Sequence, residues 1–187
     1  WQDEEGSSTS KGLVGRPLKL VAETKDMEGG VTFWIYDDKG RQVASLGADI
    51  EGDKAEAEWT YHWDGTPLKE KPKFKFKVTG NRCKKVESGD CEIGAKIELK
   101  FVDKLKEALS DLEIVLIDNH MQETSMTTDS DGIIEKDDLI PSKYSVKTKN
   151  EYEIQKINGA DVYNTTGVIS IENISEVVMN FEQKENS

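Results

Sequence analysis

The property that most restricts the fold of this chain is a two-residue alternation of apolar and polar side chains, repeated in segment after segment. Successive side chains of an extended strand point to opposite faces, so this alternation builds sheets with one face in a core and one in water. In "RPLKLVAET", Leu18, Leu20 and Ala22 share a face. "GVTFWIYDDKG" carries Val31, Phe33 and Ile35 on one face and Thr32, Trp34 and Tyr36 on the other. Two partly apolar faces mark a strand with neighbours on both sides, and Asp38, Lys39 and Gly40 then supply a turn. Another strand covers residues 43–50, and "EGDK" turns the chain again. In "KAEAEWTYHW", Ala55, Ala57, Trp59 and Tyr61 oppose Glu56, Glu58, Thr60 and His62. "KPKFKFKVTG" points Phe74, Phe76 and Val78 inward, and "AKIELKFVD" does the same with Ile97, Leu99 and Phe101.

About seven short strands separated by turn signals predict a β-sandwich of immunoglobulin type over residues 12–103. "DKLKEALSD" interrupts the alternation as a linker or one helical turn, placed at residues 104–111. A second β-rich domain follows over residues 112–182. Its "LEIVLID" is apolar on both faces, as in a central strand, while "KYSVKT" and "GVISIENISEVVMNF" supply further strands. The acidic, Ser-rich residues 1–11 read as a mobile linker, and residues 183–187 as a disordered tail. The chain opens on Trp1, as the cut edge of a longer polypeptide or a processed start would. The expected fold class is therefore all-β, with two small sandwich domains.

The net charge of -12 argues against nucleic-acid binding and against an anionic membrane surface. No apolar run is long enough to span a bilayer. Catalysis is not expected: the two histidines, His62 and His120, sit on a polar strand face and in a loop, and no serine-nucleophile or zinc-protease motif occurs.

Several stretches carry candidate chemistry. "TTDSDGIIEKDDL" is close to a calcium-binding loop, with Asp129, Asp131 and Asp138 at ligand positions and Gly132 at the sharp turn. Against a metal, threonine stands at the first ligand position and strand-like flanks replace the required helices. A tight turn, with weak calcium binding as the alternative, is the expectation. Cys83 and Cys91 bracket a turn in "NRCKKVESGDCEI" and form either a disulfide, worth about 2–3 kcal/mol, or two free thiols. Lys73, Lys75 and Lys77 alternate with phenylalanines, as the solvated face of a strand or a contact for an anionic partner. Trp59, Tyr61 and Trp63 read as core; Trp63 is the one expected to be exposed for a partner or a sugar. Two glycosylation sequons begin at Asn164 and Asn173.

The stretch "DSDGIIEKDDLIPSKYSVK" resembles the turn-and-strand signature of transthyretin-like, or carboxypeptidase-regulatory-like, modules. The matching residues are Thr128, Asp129, Asp131, Gly132, Ile133, Ile134, Leu139, Pro141, Tyr144 and Val146, with Ile140 inserted before the proline. "VTFWIYDDKG", the strand around residues 53–61 and "KPKFKFKV" resemble the immunoglobulin-like module that precedes such a domain. The tandem is similar to C-terminal extensions of type VI secretion spike proteins, the valine-glycine repeat tip proteins. That resemblance implies a non-catalytic, exported bacterial module without a cofactor, whose partner is a protein such as an effector or a spike component. The alternative is a calcium- or carbohydrate-binding module of a cell-surface protein.

Overall fold

A computed structural model of the chain describes residues 1–81, 85–102, 107–142, 144–148, 152–157 and 177–183. Fourteen strands form among these residues, with no helix, so the protein is all-β. No helix of the described residues is long and apolar enough to cross a membrane. The chain divides into two compact units, Trp1–His62 with Glu70–Gly94, and Trp63–Lys69 with Ala95–Ser187.

The first unit is an immunoglobulin-like sandwich. Its larger layer is built from β3 (Gly30–Asp37), flanked by β4 (Gln42–Glu51) and β6 (Lys73–Gly80). The start of β8 (Cys91–Val102) pairs with β6, and β1 (Lys11–Leu13) lies parallel to β8. The short β7 (Val86–Glu87) also pairs with β6. The smaller layer pairs β2 (Pro17–Glu23) with β5 (Lys54–Thr60). β4 joins the two layers at its end, where Ile50 and Glu51 pair with Ala55 and Lys54.

The alternation read from sequence becomes burial. Leu18, Leu20, Val31, Phe33, Ile35, Phe74, Phe76, Val78 and Ile93 are all buried. Each large apolar side chain so enclosed contributes about 1.5–3 kcal/mol. As expected of a central strand, β3 is paired on both edges, with Phe33 between Leu46 and Val78.

In the second unit the rest of β8 pairs with β11 (Ile133–Leu139) on one side and runs parallel to β14 (Val177–Gln183) on the other. β13 (Tyr152–Ile157) extends that sheet beyond β14. The other sheet has β9 (Glu113–Ile117) between β10 (Glu123–Thr127) and β12 (Ser145–Thr148). "LEIVLID" is thus the central strand its two apolar faces predict, and Ile114, Val115, Leu116 and Ile117 are all buried. The core joins Ile97, Leu99 and Phe101 of β8 to Ile114 and Leu116 of β9, with Leu112, Ile134 and Tyr144. The Tyr144 hydroxyl donates to the Ile140 carbonyl at 2.8 Å, a tyrosine-corner arrangement. Burial pushes its pKa up to about 12.

Three sequence expectations are corrected. Residues 1–11 are not a free linker. Gln2 forms bridges with Ser8 and Lys19, and Trp1 packs edge-on to Phe76 at 5.0 Å and donates its indole N–H to the Gly89 carbonyl. Ile97, Leu99 and Phe101, read as the last strand of the first domain, lie in the core of the second unit. The division accordingly falls at Gly94 and Ala95 rather than at residues 104–111. Of that expected linker, Leu109 packs against the second core and its N–H bonds the Phe101 carbonyl, while residues 103–106 lie outside the described set. Both sequons and residues 184–187 also lie outside it.

Candidate functional site

The stretch "DSDGI" closes a turn with one carboxylate. Asp129 Oδ1 accepts hydrogen bonds from the backbone N–H groups of Asp131 and Ile133, both at 2.9 Å. The Gly132 N–H donates to the Asp129 carbonyl and the Asp129 N–H to the Ile133 carbonyl, both at 3.0 Å. Gly132 has φ +75°, in the left-handed region where a side chain is strained.

The same bonds recur three times. Asp3 accepts from Glu5 and Ser7, Asp37 from Lys39 and Arg41, and Asp118 from His120 and Gln122. In each, the fourth residue has positive φ: Gly6, Gly40 and, without glycine, Met121. Burial alone would raise the Asp37 carboxyl. The Arg41 backbone N–H and guanidinium, with the Lys39 N–H, outweigh it and hold the pKa below the usual aspartate value.

The same geometry places the three expected calcium ligands. Ile133 to Asp138 lie along an extended strand, β11, which carries Asp138 about 16 Å from the turn at strand rise. Asp138 sits at an irregularity of that strand with φ +58°. Asp131 is exposed beside the turn. The three expected ligands are therefore not brought together. Among the described residues no group of three or more His, Cys, Asp or Glu side chains is arranged to hold a metal. The buried Thr128 anchors the turn: its hydroxyl donates to the Leu109 carbonyl at 2.6 Å and accepts from the Leu112 N–H at 2.9 Å.

The lysine run is matched by carboxylates of its own unit. Lys73 lies 3.8 Å from Glu92, its cross-strand partner on β8. Lys77 lies 3.7 Å from Glu87, its partner on β7, and 4.8 Å above the Tyr36 ring. Lys75 approaches Glu87 and Asp90, each at 3.7 Å. Lys73, Lys75 and Lys77, read as a solvated strand face or a contact for an anionic partner, thus stand in a ladder of opposite charges. Such exposed pairs contribute modestly to stability.

The aromatic residues divide. Trp59 and Tyr61 stack on Phe74 at 4.9 and 5.1 Å, at the margin of the core. Trp63, expected to be exposed, is half-buried and donates its indole N–H to the Thr66 carbonyl at 2.8 Å. The Thr66 backbone and side-chain hydrogen bonds hold Asp64 of the same loop below the usual aspartate pKa. Cys91 is a free thiol, fully buried, with its pKa pushed up to about 11 by burial. Cys83 lies outside the described residues. His62 and His120 are exposed.

No family model matches the chain, and no curated protein does. Among solved structures it is similar to BcpA, the major pilin subunit of Bacillus cereus, at 15% identity and TM-score 0.36, covering 94% of this chain and 67% of that one. The Bacillus anthracis TIE protein matches at 13% identity and TM-score 0.37, covering 89% and 41%. The C-terminal fragment of pilus adhesin SpaC from Lactobacillus rhamnosus GG matches at 7% identity and TM-score 0.34, covering 86% and 90%. These are distant likenesses of strand layout, and the secretion-spike resemblance gains nothing from them.

Proposed function

We propose that this chain is a non-catalytic structural module of an exported bacterial protein, acting through protein–protein contact. The observation that supports the reading is where its ionisable groups are engaged. Asp3, Asp37, Asp118 and Asp129 hold backbone turns, and Lys73, Lys75 and Lys77 face carboxylates of their own sheet. These seven side chains serve the sandwiches' own turns and sheets. Edge strands and sheet faces are then the parts free to meet another protein. The finer attribution, to the C-terminal extension of a secretion spike that presents cargo, rests on the sequence resemblance.

The test is impermeant amine labelling of intact bacteria producing the protein, followed by peptide mapping. Labelling of Lys39 or Lys54, or recovery of the module from the medium, is expected. Labelling only after lysis, with none of the protein released, would refute export.

A further inference from the structure

Among the described residues, β4 has an open edge. One side pairs with β3 along the strand, from Gln42 to Asp49, while β5 meets it only at Ile50 and Glu51. No described strand pairs with the other side of residues 42–49. Natural sheets usually guard such an edge with lysine, proline or a bulge. Here a register irregularity lies at the start of the strand, opposite Ile35 and Tyr36, and Val31 to Ile35 then pair regularly with Ala48 to Ala44. No charged side chain occurs in residues 42–48, in a chain whose net charge is -12. Val43 is 47% exposed, and Ser45 and Gly47 are exposed beside it.

Arg41, ion-paired with Asp37 of its own turn, precedes the strand, and Asp49 and Glu51 close it. A parallel neighbour of the same sequence would set like charge beside like. An antiparallel copy centred on Leu46 sets Ala44 against Ala48 and Ser45 against Gly47, and keeps the two acidic ends apart. The uncharged centre lets two acidic chains approach, and the small side chains leave room for backbone pairing.

We propose that β4 is a self-association edge, on which a second copy of this chain adds its own β4 antiparallel about a two-fold axis. This names a partner for the contact module proposed above and rests on that reading for its setting. The interface is isologous, so it closes at a dimer. One paired edge is a small contact, so the dimer is of the transient kind.

Sedimentation velocity of the 187-residue chain over a micromolar concentration series tests it. The expected result is a concentration-dependent shift from monomer to dimer. A Cβ at Gly47 meets nothing within 4 Å, so Gly47→Ala should leave the shift in place and Gly47→Lys should fold normally. Gly47→Lys should weaken association about ten-fold or more through like charge at the edge. Ser45 is exposed and stands opposite Gly47 in this pairing, so Ser45→Lys should weaken association likewise. A chain that stays monomeric overturns the proposal and leaves the edge to a different protein. So does a Gly47→Lys protein that associates as the parent does. Because this is read on the purified chain, it is independent of the cell-labelling result: export can fail while the dimer forms, and the reverse.

Discussion

The turns at Asp118 and Asp129 use one hydrogen-bond scheme and carry different residues at the same point. In the first, Met121 holds φ +62° and is 76% exposed. In the second, Gly132 holds φ +75°, and a Cβ there would lie 2.4 Å from the Phe101 carbonyl oxygen and 3.0 Å from the Leu109 nitrogen. The Asp118 turn ends a hairpin, joining β9 to β10, which pair directly. The Asp129 turn carries the chain from β10 in one sheet to β11 in the other, and it packs on β8 as it crosses. A left-handed residue with a side chain is tolerated at a solvent-facing tip, at a cost of about 1–2 kcal/mol. At a corner between sheets, backbone strain and lack of space act together, and only glycine fits.

The largest test of this contrast is Gly132→Ala, which should cost about 3 kcal/mol or more, from left-handed strain plus the clash with Phe101. Urea unfolding followed by hydrogen exchange at β8 and β9 amides should show the loss in the second unit; a change under 1 kcal/mol would break the corner argument. Next is Thr128→Val, which keeps the shape but leaves the Leu112 N–H and the Leu109 carbonyl without their hydroxyl partner. A loss of about 2–3 kcal/mol is expected in the same measurement. Met121→Gly should go the other way and stabilise by about 1 kcal/mol, seen as a raised unfolding midpoint. An unchanged or lower midpoint would mean that the exposed turn carries no such strain.

The smallest effect belongs to Asp37, whose turn adds an ion pair, with Arg41 Nε and a terminal guanidinium nitrogen each 2.7 Å from Oδ2. Its folded pKa lies below the ordinary value of 3.8. The resulting stability is fully present above 3.8 and is lost as pH falls through the lowered value. Asp37→Asn should remove that slope and cost about 0.5 kcal/mol or less at neutral pH, because Arg41 is well exposed. A pH series of melting temperatures for parent and variant checks both the sign and the size.

Strands and the glycine-containing turns were legible because their causes are local. The alternation in "KFKFKV" and "VTFWIY" sets burial directly, and "DSDG" joins an acceptor carboxylate to a residue free to take positive φ. The spacing of Asp3 to Gly6 and Asp37 to Gly40 gives the same signal, and with it Asp3 could have been read as a structured turn. Met121 hides the fourth copy, since no glycine marks it. Residues 1–11 were misread because what fixes them is distant: Lys19, Phe76 and Gly89. The unbroken alternation of β8 gives no sign that its inward residues change cores after Gly94. The lysine ladder was half legible. Glu87, Asp90 and Glu92 stand in the sequence, but only the pairing of β6 with β7 and β8 sets them opposite the lysines.

The four aspartate turns also bear on the order of events during folding. Each closes its bonds within five consecutive residues, so its chain-closure entropy is small and its formation needs no distant contact. Loops of that length close far faster than sandwiches assemble. At residues 37–41 and 118–122 the closed turn already fixes which residue of one strand faces which of the next, Ile117 opposite Glu123 for instance. A one-residue slip would turn every core side chain to water. The unfolded chain thus carries, in these short local turns of backbone, the instructions for its own strand alignment.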